Sequence, residues 1–143
     1  MKLVIDKEAL GTMHRHAEST FPYECCGFFY GNDGQVRDIT QAIPVENSKK
    51  GDQRRRFEIS AFDYMQAEKY AAENDLALLG IYHSHPNHPA RPSEHDLKQA
   101  VPFFSYIIIS VMDGKVAKTT SWQLNDALKF EEETIEHETT LKQ

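Results

Sequence analysis

A chain of 143 residues is long enough for one hydrophobic core and too short for two, so residues 1–143 are expected to form a single domain. With 40% hydrophobic and 27% charged residues, the composition is that of an ordinary globular protein. A net charge of −6 argues against nucleic acid as the main partner, because phosphate binding needs an excess of Lys and Arg.

The N-terminal stretch Met1-Lys2-Leu3-Val4-Ile5-Asp6 has too short an apolar run for a secretory signal. No stretch approaches the roughly 20 apolar residues that span a membrane. The two adjacent cysteines, Cys25 and Cys26, make no disulfide framework. A cytoplasmic, reduced protein without membrane contact is the expectation, and no pattern addresses its oligomeric state.

Leu3-Val4-Ile5 reads as a short strand. Asp6 then caps a helix to about Ser19, with Leu10, Met13 and Ala17 at helical spacing on one face. His14 and His16 on this helix lie far apart around its axis, so they cannot share a metal and read as solvated surface. Thr20-Phe21-Pro22 ends the helix, since proline disfavours helical geometry in the residue before it. Cys25 to Tyr30 is a second strand, in which the cysteines are small core residues facing opposite ways. Gly31-Asn32-Asp33-Gly34 signals a hairpin turn, and Gln35 to Ile43 is the partner strand.

Pro44 to Arg56 is a basic loop in an acidic protein. It reads either as a mobile, solvated loop or as a docking edge for a protein substrate with an acidic patch. Phe57-Glu58-Ile59 after it is a candidate strand for pairing with an extended peptide. Ser60 caps a helix from Ala61 to about Asn74, with Phe62, Met65 and Ala72 expected inward.

Leu76 to Tyr82 is a short apolar run stopped by Pro86, hence a buried strand. At its end stand His83 and His85, and the two-residue period of a strand points both to one face. A turn rich in Pro and polar residues, 86–92, follows. Ser93 and Asp96 then sit where a helix begins, with Leu97 and Ala100 as its first apolar positions. Ser93-x-x-Asp96 is also a serviceable helix cap, and loop histidines are common on surfaces. The combination is more specific than its parts: a strand end, a tight return and a helix start can bring His83, His85 and Asp96 to one point. Three protein ligands with a fourth position open is the arrangement of a catalytic zinc.

Phe104 to Met112 reads as a strand buried on both faces, turned at Asp113-Gly114 and paired back by Val116 to Leu124. Phe130 to Glu138 is acidic and weakly alternating, which reads as an edge strand followed by a frayed tail. Strands and helices mix without regular alternation, giving an α/β fold with a mixed sheet flanked by helices.

His-x-His, seven residues, Ser, two residues and Asp, matched at His83, His85, Ser93 and Asp96, resembles the signature of the JAMM (MPN-plus) zinc metallopeptidases. That family also uses an upstream glutamate, and Glu24-Cys25-Cys26-Gly27 looks like its E-x-C-G segment. The resemblance runs from the first helix to at least Asp96, is nearest to the small stand-alone bacterial members, and implies their cytidine-deaminase-like α/β/α sandwich. It implies one catalytic Zn²⁺ on His83, His85 and Asp96, which lowers the pKa of bound water from about 15.7 to about 7. Glu24 would be the general base, which nothing but its place in the family pattern suggests, and Ser93 the hydrogen-bond donor to the oxyanion. His88 and His95 fall outside the matching positions and are not expected to be ligands, although His95 can stand behind one.

The activity so implied is hydrolysis of the peptide or isopeptide bond after the C-terminal Gly-Gly of a ubiquitin-like sulfur-carrier protein. In relatives, the region of the basic loop helps hold the ubiquitin-like partner. Two other readings remain: a metal-free scaffold that binds ubiquitin-like partners without cleaving them, and a zinc hydrolase acting on a small amide. Fold alone cannot separate them, because function lives in the site.

Overall fold

The computed structural model describes residues 2–137. Its elements run β1 (Lys2–Ile5), α1 (Lys7–Thr20), β2 (Cys26–Asp33), β3 (Arg37–Val45), α2 (Ala61–Glu73), β4 (Ala77–Pro86), α3 (Glu94–Gln99), β5 (Ser105–Met112), β6 (Lys115–Leu124) and β7 (Phe130–His137). The strands lie in the order β1-β3-β2-β4-β5-β6-β7, and β7 returns to pair with β1, so the mixed sheet closes on itself. The β1–β3, β1–β7 and β4–β5 pairs are parallel and the others antiparallel. The α/β class with helices flanking a mixed sheet is as expected. No helix among the described residues is long and apolar enough to cross a membrane.

The middle strands β2, β4 and β5 are covered on both faces. Phe29, Leu79, Tyr82, Ile107 and Ile109 pack with Ala9, Met13 and Ala17 of α1. Phe28, Tyr30, Ile81 and Tyr106 pack with Ala67 and Ala71 of α2. Strands buried on both faces read as near-continuous apolar runs rather than alternating ones, which is why β4 and β5 were visible in the sequence. The cysteines behave as expected: Cys25 is buried in the first cluster and Cys26 in the second.

Several expectations need correction. Phe62 and Met65 are exposed, at 60% and 58%, and Ala72 also faces solvent. Helix α2 instead turns Ala67 and Ala71, flanked by the half-buried Tyr64 and Tyr70, toward Phe28 and Tyr30 of β2 and Ile81 of β4, and the two alanines let it approach the sheet. The β2–β3 turn falls at residues 34–36, because Gly31, Asn32 and Asp33 continue the ladder against Ile39, Asp38 and Arg37. Phe57-Glu58-Ile59 pairs with no strand among the described residues of this chain, and the Glu58 carbonyl accepts hydrogen bonds from the Ser48 N–H and hydroxyl; its pairing with a bound peptide is a separate matter. Strand β7 is no edge: it sits between β6 and β1, and Lys2 pairs with Glu136 at 2.7 Å across the closing seam. The tail after residue 137 lies outside the described residues. Nor are the helical histidines solvated surface. His16 Nδ1 meets the Tyr82 hydroxyl and His14 Nε2 the Thr119 hydroxyl, each at 2.8 Å.

A buried arginine was not foreseen. Arg37 is 2% exposed; it donates to Asp33, the Leu79 carbonyl and the Ser105 hydroxyl, and lies 4.6 Å from the centroid of the Phe103 ring. It ties β3 to the start of β4 and β5, behind the strand that carries the histidines.

Candidate metal centre

Strand β4 sorts its side chains between the two helix layers. Ile81 belongs to the α2 side and Tyr82 to the α1 side, so His83 and His85 project toward the α2 side with Ile81. Ser84 points the other way, and its hydroxyl accepts the Cys25 N–H at 2.9 Å, joining β4 to the residue after Glu24.

The chain then reverses at Asn87, whose φ of 57° is tolerated by asparagine better than by most residues. The Asn87 N–H donates to the Val111 carbonyl at 2.7 Å, and its side chain accepts the Asp113 N–H at 2.9 Å. Ser110 and Thr120 hydroxyls donate to the carbonyls of His88 and Ala90 at 2.6 and 2.7 Å. A loop of Pro and polar residues is thus bound down along its length on β5 and β6.

At the start of α3 the Ser93 hydroxyl accepts the Asp96 N–H at 3.0 Å, while Asp96 Oδ2 accepts the Ser93 N–H at 2.8 Å. This is a complete capping box. The cap and the metal-ligand reading therefore describe one device: satisfying the helix start is what aims the Asp96 carboxylate. Its Oδ1 lies 3.3 Å from His83 Nε2, its Oδ2 3.3 Å from His85 Nε2, and the two Nε2 atoms are 3.1 Å apart. Zinc bonds of about 2.0–2.1 Å in a tetrahedron put neighbouring ligand atoms about 3.3 Å apart, so the spacing fits such an ion.

Two further contacts bear on that fit. The His85 Nδ1–H donates to the Pro89 carbonyl at 2.8 Å, which leaves the Nε2 lone pair directed at the cluster. His83 is held by its ring, stacked on Phe57 with centroids 4.5 Å apart, and its buried Nδ1 has no hydrogen-bond partner among the described residues. Burial lowers the His83 pKa, against the pull of Asp96. Burial also pushes His85 down, but the hydrogen bonds to Asp96 and Pro89 outweigh it and raise its pKa. Asp96 would be raised by burial, yet the two histidines and the Ser93 N–H hold it well below the usual carboxylate range. With its Nδ1–H committed to Pro89, the His85 Nε2 faces the Asp96 carboxylate at 3.3 Å lone pair to lone pair unless a proton or a metal lies between them. His83, His85 and Asp96 can therefore hold a cation together.

Glu24 is buried at the mouth of β2, and burial raises its pKa to about 8. Its backbone is fixed from the basic loop: the Glu24 N–H donates to the Gln53 carbonyl at 2.7 Å, and Asn47 Nδ2 donates to the Glu24 carbonyl at 3.1 Å. Asn47 also binds the Arg56 carbonyl and the Glu58 N–H. That loop is a scaffold for Glu24, a role that its charge does not reveal; the amides at Asn47 and Gln53 were the only hint.

Two cavities meet at the cluster. One, of about 360 Å³, takes in His83 and Asp96 and is otherwise mainly apolar, with Phe57, Tyr64, Ile81 and Tyr106. The other, of about 580 Å³, takes in Glu24, His85 and Ser93. All five motif residues thus line these two cavities. His88 lines the second cavity but is not part of the cluster, and neither is His95, whose buried Nε2 has no hydrogen-bond partner among the described residues.

Residues 6–125 match the family of prokaryotic homologs of the JAB domain. The chain belongs to that family. The resemblance carried by His83, His85, Ser93, Asp96 and Glu24 is thereby borne out at the level of the family. This JAB domain is 28% identical over 131 residues to the CysO-cysteine peptidase of Mycobacterium tuberculosis, covering 91% of this chain and 88% of that protein. It is 30% identical over 112 residues to a probable TtuB-protein conjugate cleaving protease of Thermus thermophilus, covering 78% of this chain and 72% of that protein. Among solved structures, protein DSY2949 of Desulfitobacterium hafniense matches with a TM-score of 0.83 at 30% identity, covering 95% of this chain and 92% of that one.

Proposed function

We propose that this JAB domain is a zinc-dependent metallopeptidase that hydrolyses the bond after the C-terminal Gly-Gly of a ubiquitin-like sulfur-carrier protein. The observation that carries the reading is the His83, His85 and Asp96 cluster, with ligand atoms 3.1–3.3 Å apart and buried Glu24 lining the adjoining cavity. The names of the relatives in Mycobacterium and Thermus support the substrate class.

His83 and His85, through Nε2, and the Asp96 carboxylate would hold the ion. A zinc ion bound there would supply a water acidified to a pKa of about 7 and a Lewis acid for the scissile carbonyl. Glu24 takes the proton of that water and delivers it to the leaving nitrogen. Burial raises the Glu24 pKa to about 8 in the metal-free chain, and a divalent cation bound beside it would draw it back toward the ionised form that accepts a proton. Ser93 accepts the Asp96 N–H, so its hydroxyl proton is free to reach the oxyanion of the tetrahedral intermediate. Phe57 and the Pro89 carbonyl hold the two imidazoles in place. The cytoplasm is the compartment in which such carriers act and in which two free buried cysteines persist.

The test is intact-mass analysis of sulfur-carrier proteins with residues appended after Gly-Gly, incubated with zinc-loaded wild type and with Glu24→Gln. Loss of the appended residues with wild type alone is the expected result. Carriers left intact by wild type with one equivalent of zinc bound overturn the substrate assignment.

A further inference from the structure

Amide hydrolysis fixes where the two halves of the substrate lie. The water oxygen bonds to the carbonyl carbon, the C–N bond breaks, and the water proton ends on the departing nitrogen. In the function proposed above, on which this inference rests, Glu24 carries that proton. The leaving nitrogen must therefore approach Glu24, and the leaving group occupies the cavity of about 580 Å³ that Glu24 lines.

Besides Glu24, His85 and Ser93, that cavity is lined by Arg55, His88 and Arg91. Two guanidiniums beside a single carboxylate make a cationic pocket on a chain whose net charge is −6. Arg91 has no ion-pair partner among the described residues, and Arg55 has only an exposed contact to Asp52 at 4.0 Å. The backbone that presents Arg91 is fixed at three successive carbonyls. Those of His88, Pro89 and Ala90 accept from the Ser110 hydroxyl, His85 Nδ1 and the Thr120 hydroxyl. The Arg91 N–H also donates to the Pro89 carbonyl at 2.9 Å. The guanidinium is therefore launched from a loop that the candidate ligand His85 itself pins.

A free guanidinium carried on a fixed backbone is suited to a carboxylate, which it can bind through two parallel N–H bonds. In an amino acid joined through its α-amine, the α-carboxylate sits two bonds from the scissile nitrogen. We propose that Arg91, assisted by Arg55, binds the free α-carboxylate of the leaving group. The preferred substrate then has a single residue or short peptide appended linearly after Gly-Gly and ending in a free acid. A lysine side chain in isopeptide linkage brings no such carboxylate to this position.

The test uses zinc-loaded full chain and two carriers identical except that the one residue after Gly-Gly ends in a free acid or in an amide. Wild type should cleave the acid with kcat/KM about 10- to 100-fold above the amide, the range of a charge-assisted hydrogen bond. Arg91→Ser should bring the acid down toward the level of the amide, mainly through KM, and slow amide cleavage far less. Arg55→Ser should remove part of the preference. Equal rates on the two carriers with wild type, or equal slowing of both by Arg91→Ser, overturn this inference and leave the peptidase reading standing. Cleavage of neither carrier by wild type overturns both.

Discussion

Glu24 should make the metal-free protein less stable as pH rises, and Glu24→Gln should remove that loss. The residue is 7% exposed, and burial raises its pKa from 4.5 to about 8, with His85 and Arg56 pulling it down and Asp96 and Asp52 pushing it up. A group whose folded-state pKa is raised contributes fully below its unfolded value. That contribution is lost as pH climbs toward the folded value. Below about pH 4.5, then, wild type and the Glu24→Gln variant should be equally stable, because the side chain is neutral in both proteins, folded or unfolded. At pH 7 the unfolded chain ionises Glu24 and the native chain does not, a difference of about 3 kcal/mol in favour of the glutamine. For a domain of this size that corresponds to a gain of about 10 °C in Tm. Thermal unfolding of chelator-treated wild type and Glu24→Gln from pH 4.5 to pH 8 measures it. A gain that is the same at every pH, or a loss at pH 8, refutes the assignment of Glu24 as a buried, neutral acid. The same substitution should abolish cleavage, so activity and metal-free stability are expected to move in opposite directions at this residue.

Other substitutions probe the parts around it. Ser93→Ala should lower kcat by about 10²–10³ with metal content retained, and should cost about 1 kcal/mol from the lost cap; steady-state kinetics and denaturant unfolding read the two separately. Gly80→Ala should destabilise by several kcal/mol, because the new methyl would run into the Ser105 carbonyl across the β4–β5 ladder and into the Phe29 ring. Arg37→Ala should cost about 3 kcal/mol in urea unfolding, since it strands the Leu79 carbonyl and the Ser105 hydroxyl, whereas loss of the partly exposed Asp33 contact adds little.

The most legible parts of the site were those whose geometry follows from local periodicity. A strand repeats every two residues, so His83 and His85 had to share a face once β4 was recognised as a strand. Ser93 and Asp96 were legible as a helix cap, and the cap turned out to aim the carboxylate. What depended on contacts across the chain was not legible. Glu24 looks like any loop carboxylate until Asn47 and Gln53, more than twenty residues on, are seen to grip its backbone. The acidic alternation of β7 resembles a solvent-facing edge, and only its pairing with β1 at the other end of the chain closes the sheet. In α2, Phe62 and Met65 form one apolar stripe and Ala67 and Ala71 another. The larger side chains looked like the buried ones, but the sheet accepts the small ones. A buried Arg37 was hidden because its acceptors come from β4 and β5, some 40 and 70 residues away.

The most direct test of the central claim is a zinc titration of chelator-treated protein, with bound metal and cleavage of a Gly-Gly-extended carrier followed in the same samples. Activity should rise from zero and level off at one equivalent in wild type, while Asp96→Asn should bind weakly and stay inactive. Full cleavage by protein without detectable metal, or a fully loaded wild type that cleaves no better than Asp96→Asn, would contradict a catalytic ion held by His83, His85 and Asp96.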